Sequence, residues 1–166
     1  MNEDKKQILA EVERIAREVA AGLGLEIVEF VFHSQGRHSL LRIDIDRAGT
    51  PGVGLAECET LSRALGDRIE DLSFFDAPYE LQVSSPGIDR PIKSDEDLRR
   101  NAGRPVWLEF RDENGKVREL RGRLAAPHES DAVTIEGEFG GIRIPRDRIV
   151  FMKQDVALAR SKRNKA

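Results

Sequence analysis

Ser84 and Ser85 directly follow a short alternating run, Tyr79–Val83, and a serine at a strand end can serve as a nucleophile. Such a serine needs a base, usually histidine, and a third group to orient that base. The chain has three histidines, His33, His38 and His128, and none stands in a motif that supplies one. There is no Gly-x-Ser-x-Gly, and a proline-bearing segment rather than a helix follows the serines. Hydrogen bonding to nearby backbone in a turn is the role expected of them. His33 and His38 flank one turn and could approach each other across it, but histidines at exposed strand ends are ordinary polar surface. Asp44 and Asp46 stand at i and i+2 on one strand, a spacing that could bind magnesium with a phosphate. No glycine-rich phosphate loop accompanies them, so a solvated sheet face is expected. Cys58 is the only cysteine, which excludes an internal disulfide and a multi-cysteine zinc site. Its place on an apolar helical stripe predicts a buried, inert thiol. No catalytic residue, cofactor or metal ligand is assigned.

What remains is arginine. Arg99, Arg100 and Arg104 cluster around a short helix, while Arg111, Arg118, Arg121 and Arg123 decorate a hairpin. Arg143, Arg146 and Arg148 surround a later strand. Guanidinium forks suit phosphate bidentately and add salt-sensitive affinity. Arg99, Arg100, Arg104, Arg121, Arg123, Arg143, Arg146 and Arg148 are therefore the candidates to face RNA. Trp107 offers a stacking face if it points outward, and a core position is the competing reading. Glu109, Glu119, Glu136 and Glu138 dilute the patch.

The total charge hides this pattern. In 166 residues, 27 Lys/Arg against 30 Asp/Glu give −3. Residues 1–90 carry ten Lys/Arg and seventeen Asp/Glu, a net −7, and residues 91–166 carry seventeen and thirteen, a net +4. Opposite signs in two halves imply different partners. No apolar run approaches the ~20 residues that span a bilayer. The start, MNEDKKQ, has neither the basic nor the apolar part of a secretory signal. A protein of the reducing cytosol, without a membrane, is expected.

The elements that must position these residues follow from periodicity. Ile8, Val12, Ile15, Ala16 and Val19 form one helical stripe over residues 4–22, with Gly22 and Gly24 as stops. A strand at 25–33 is predicted with Val28, Phe30 and Phe32 on one face and Ile27, Glu29 and Val31 on the other. Gln35-Gly36-Arg37 reads as a turn before a second strand at 40–46, where Leu41, Ile43 and Ile45 alternate with polar residues. The loop at 48–52 leads to a second helix over 55–69, with Gly54 as N-cap and Cys58, Leu61, Leu65, Ile69 and Leu72 on its stripe. A loop at 73–78 precedes the third strand. Two helices can cover one face of this three-stranded sheet. Two prolines and a glycine within residues 84–92 forbid regular structure. Ser94 reads as the N-cap of a short helix that Gly103 ends. Five short strands then follow, with Asn114-Gly115 as a hairpin signal, and they suggest a small closed barrel. Arg160, Lys162, Arg163 and Lys165 make a basic tail. The class is α+β in two domains: an acidic α/β domain over 1–90, and a β-barrel domain with the tail over 91–166.

The run from Tyr79 through Leu81, Gln82, Val83, Ser84, Ser85, Pro86, Gly87, Ile88, Asp89, Arg90 and Pro91 to Ile92 resembles the signature of the bacterial ribosome maturation factor RimP family. Gly24–Val28, Cys58–Leu65, Gly122-Arg123-Leu124 and Ile144-Pro145 resemble other parts of that family, so the likeness covers about residues 5–153. Gln82 stands for the usual glutamate, Ile88 and Ile92 for leucines, and Gly54 for a capping threonine. The resemblance implies an Sm-like fold for the barrel. It also implies a non-enzymatic, cytoplasmic factor for maturation of the small (30S) ribosomal subunit, binding the free subunit through ribosomal RNA and a basic small-subunit protein. A monomer is expected. A general Sm-like binder of messenger or small RNAs is the alternative. Ser84, Ser85, Pro86, Gly87, Asp89, Arg90 and Pro91 are the linker expected to set the angle between the domains. Pro86 and Pro91 would restrict it, Gly87 would permit a positive φ, and Asp89 and Arg90 would tie it down.

Overall fold

The computed structural model describes residues 3–35, 38–49, 52–70, 78–126 and 129–157. Parts of the expected turns and loops at 35–37, 48–52 and 73–78, together with Leu72, His128 and the basic tail, lie outside them. The chain divides into two compact units, Met1–Arg47 with Gly52–Pro86, and Ala48–Pro51 with Gly87–Ala166.

The first unit contains α1 (Glu3–Gly22), β1 (Glu26–Gln35), β2 (His38–Asp46), α2 (Leu55–Glu70) and β3 (Tyr79–Ser84). Helix α1 forms where the stripe predicts it, burying Val12, Ile15, Ala16 and Ala20. Its opposite face carries pairs one turn apart, Arg14 with Glu11 and Glu18, and Arg17 with Glu13. The helix stops where Gly24 takes φ 70°, with Gly24 N–H donating to Ala21 O and Leu25 N–H to Ala20 O. A positive φ of that kind favours glycine. Gly22 contributes no such turn. Helix α2 starts after Gly54, whose N–H donates to the Glu57 carboxylate at 2.9 Å.

The sheet order is β1-β2-β3, antiparallel then parallel, so α2 is the crossover that a parallel pair requires. Strand β1 departs from simple alternation. A bulge between Ile27 and Glu29 lets Ile27 pair with Ile45 while Phe30 pairs with Ile43 and Phe32 with Leu41. One extra residue, Val28, thus returns Ile27 to the face of Phe30 and Phe32, correcting the predicted split. Leu41, Ile43, Ile45, Leu61 and Leu65 are fully buried between that face and the two helices.

The second unit contains α3 (Asp95–Asn101), β4 (Pro105–Arg111), β5 (Val117–Leu124), β6 (Ala132–Gly137), β7 (Gly140–Pro145), a 3₁₀ turn (Arg146–Arg148) and β8 (Ile149–Gln154). Ser94 caps α3 in a full capping box. Asp97 N–H donates to the Ser94 hydroxyl, and Ser94 N–H donates to the Asp97 carboxylate, each at 3.0 Å. The strands form one antiparallel sheet in the order β7-β6-β5-β4-β8. The expected closed barrel is corrected to a curled five-stranded sheet, because no pairing joins β7 to β8 among the described residues. The curl has a simple cause. Three residues link β7 to β8, a reach of about 14 Å, whereas flat strands would set these edges about 19 Å apart. At Gly122 the backbone of β6 comes so close that a Cβ would stand 2.5 Å from Glu136 O. The Asn114-Gly115 hairpin is a wider loop than the dipeptide suggests. The Asp112 carboxylate accepts from Asn114 and Lys116 N–H at 2.9 Å, and Gly115 sits at φ 76°. Val106, Leu108, Leu124, Ile135 and Ile144 fill the concave side with Leu98 of α3.

Candidate functional site

The candidate residues fall into three groups: the signature segment, the polar sheet face beside it in the first unit, and the arginines of the second unit. Ser84 closes β3, and its hydroxyl donates to Asp44 Oδ1 at 2.8 Å. Its partner is a side chain 40 residues away rather than turn backbone. Asp44 also accepts two bonds from Arg42, at 2.6 and 3.1 Å. Asp44 and Asp46 are 3% and 4% exposed, which corrects the expected solvated pair. A buried carboxylate is tolerated only when donors surround it, and the parallel pairing of β2 with β3 brings Ser84 opposite Asp44 to supply one. Ser85 is exposed.

From Gly87 onward the signature belongs to the second unit. Arg90 N–H donates to Gly87 O at 3.0 Å, closing a turn, and Ile92 N–H donates to Met152 O at 2.8 Å. Lys153 Nζ donates to Asp89 Oδ1 at 2.6 Å. Asp89 thus pairs with a residue of β8 on open surface. Gly87 does not take a positive φ, and a Cβ there would meet nothing within 4 Å, so the expected backbone demand on it is absent. Pro86 and Arg90 are half-buried and Pro91 is exposed.

The eight candidate arginines separate sharply. Arg100 is 7% and Arg104 5% exposed, so neither presents its guanidinium to a phosphate, and both leave the RNA-facing set. Arg100 donates to Asp97 Oδ1 at 2.6 Å. Arg104 donates to Gly49 O at 2.7 Å and to Asn101 Oδ1 at 3.4 Å. Burial alone would raise the Asp97 carboxyl. The Ser94 and Lys93 N–H groups, the Ser94 hydroxyl and Arg100 outweigh it and hold that carboxyl below the usual aspartate range. Arg146 is also largely structural. It clamps Asp95 at 2.5 Å, Lys93 O at 2.9 Å and Ser130 O at 3.0 Å. Arg123 donates to Gly103 O at 2.8 Å. Arg99 pairs with Glu96, and Arg143 with Glu129 and Asp131, on open surface. Arg121 is 58% exposed with only a 3.5 Å contact to Asp155, and Arg148 is exposed.

Trp107 is on the outer face. Its neighbours Val106 and Leu108 point into the core, and Trp107 is partly exposed beside Phe151, ring centroids 6.2 Å apart at 59°. Lys153 Nζ lies 5.8 Å from the indole centroid. Lys153 and Phe151 were not singled out from the sequence. Only the long-range pairing of β8 with β4 puts them beside Trp107. Cys58 is buried as expected, and burial, followed by the Glu57 and Asp44 charges, pushes its thiol up. Among the described residues no cluster of three or more His, Cys, Asp or Glu could hold a metal ion. No described helix is long and apolar enough to cross a membrane.

The family model of the RimP N-terminal domain matches residues 15–89. The chain is 31% identical over 148 residues to the ribosome maturation factor RimP of Microcystis aeruginosa, covering 89% of this chain and 94% of that protein. It is 32% identical over 139 residues to the protein of that name from Synechococcus elongatus, covering 84% and 90%. The chain belongs to the RimP family. The RimP N-terminal domain match ends at Asp89, inside the signature segment, while the cyanobacterial matches run across most of both units.

Proposed function

We propose that this protein is a non-enzymatic maturation factor that binds the free small ribosomal subunit in the cytoplasm as a monomer. The observation that carries the reading is the near-full-length likeness to proteins named ribosome maturation factor. The two units fit a division of labour. The acidic N-terminal half, with a net −7, suits a basic ribosomal protein, and the +4 half suits ribosomal RNA. We take the domain boundary at residue 90, within the signature. The strand order, with the last strand beside the first, and the curl forced by the short β7–β8 link are what favour an Sm-like fold for the second, as an open curled sheet rather than a closed barrel.

The test is sedimentation of cell extracts through sucrose gradients. The protein is expected to travel with free small subunits, and its deletion is expected to raise the share of immature small subunits. A spread through messenger or small-RNA fractions, with normal subunits in the deletion, overturns the reading in favour of a general RNA binder.

A further inference from the structure

We propose that the outer face of β4, β5 and β8 seats single-stranded RNA, one base stacking on Trp107 with flanking phosphates on Arg121 and Lys153. The inference rests on the RNA-facing role proposed above for the second unit, and it names the residues and the form of RNA. Its basis is register. Trp107 pairs with Arg121 on β5 and with Lys153 on β8, so the three residues make one row across adjacent strands. Neighbouring strands lie about 4.8 Å apart, which puts the two cations' backbones about 10 Å apart with the indole between them. Phe151 widens the apolar floor in the next row. Trp107 is not needed for the core, which Val106 and Leu108 fill at 0% exposure from the other face of β4.

The carboxylates near the row decide how a strand can lie. Glu109 and Glu119 face each other one step along β4 and β5. A backbone running along β4 would meet those charges, whereas one running across the strands meets cation, ring and cation. The Lys153 pair is exchangeable, because Asp89 is 77% exposed and an exposed pair contributes little. Arg121 is 58% exposed and reaches the buried Asp155 through one 3.5 Å contact, so its fork has further N–H donors to offer a phosphate without breaking that contact. The Lys153 ammonium at 5.8 Å from the centroid is near the limit of a cation–π contact, so the ring face opens at small cost. A basic peptide would meet like charges at both ends of the row. Stacking on a flat indole requires an unstacked base, which a duplex does not offer.

Trp107 is the only tryptophan, so it reports on its own site. Titration of the full-length protein with a twelve-residue oligouridylate is expected to quench its fluorescence saturably, with weaker binding at higher salt. Anisotropy of the labelled oligonucleotide is expected to show that Trp107→Ala weakens binding about tenfold, with Trp107→Phe close to wild type. Replacing Arg121 and Lys153 by Ala should reduce the slope of log affinity against log salt by about 1.4. Binding without quenching, equal affinity of Trp107→Ala, or equal competition by duplex RNA overturns the seat. So does quenching by an arginine-rich peptide but not by oligouridylate. Should Trp107→Ala misfold by circular dichroism, the Phe variant and the Arg121/Lys153 pair decide the matter. Absent quenching in a protein that still travels with free small subunits removes the seat and leaves the maturation role standing.

Discussion

The two units handle arginine in opposite ways. The first keeps its helix arginines outside, in pairs such as Arg14–Glu11 and Arg17–Glu13, and the charges it buries are the carboxylates of Asp44 and Asp46. The second buries guanidinium groups. Arg100 and Arg104 lie inside it with Asp97, Asn101 and Asp155. An arginine in the first half is therefore largely a surface residue, while one in the second is as often a strut as a ligand-binding group. A +4 count overstates the surface available to phosphate: of the eight candidate arginines, those that face outward without bracing backbone are Arg99, Arg121, Arg143 and Arg148.

The sharpest way to break this contrast is at packing positions. Leu61→Ala, at 0% exposure in the first unit, is expected to cost about 2–5 kcal/mol in denaturant unfolding. Gly122→Val should damage the second unit at least as much, because a side chain there meets β6 backbone. An intermediate effect is expected at the internal ion pair. Arg100→Ala removes the charge partner of the buried Asp97 carboxylate, leaving it the Lys93 and Ser94 N–H groups, and should cost about 3 kcal/mol. A loss under 1 kcal/mol would mean that the second unit's buried charges are not struts.

The acid limb tests the same pair. The folded protein lowers the Asp97 carboxyl, so its stabilisation is full above about pH 3.9 and is lost as pH falls through the lower folded value. Asp97→Asn should flatten Tm against pH in that acid range relative to wild type. Arg90→Ala, at a half-buried signature position, is expected to weaken co-sedimentation with small subunits; unchanged binding and complementation would remove that residue from the linker's role. The smallest effect is expected at Cys58, whose raised, buried thiol should react with a disulfide reagent only on unfolding.

How much of this was legible depended on the distance over which each feature is encoded. The stripes of α1 and α2, the Ser94 cap and the alternation of Leu41, Ile43 and Ile45 are local patterns, and they fold as read. The β1 bulge was not legible. Val28 fits either face of a strand, and only the pairing with β2 assigns it. The burial of Asp44 depends on Ser84, forty residues on. Asp97 and Asn101 stand only three residues before Arg100 and Arg104, but the burial of these pairs and the Gly49 acceptor, 55 residues from Arg104, are set by tertiary packing that no local pattern announces. Trp107 was ambiguous for the same reason, and its flanking Lys153 arrives only with β8.

The edges of the five-stranded sheet have a consequence for crowding. Strand β7 begins with Gly140-Gly141 and ends at Pro145, residues that extend poorly into another chain's ladder. At the other edge, β8 has a lysine at position 153 and an irregular register opposite Glu109 and Phe110. Each device makes strand addition by a second molecule costlier. A sheet left open in this way is guarded against runaway polymerisation, because neither border offers another copy an easy ladder.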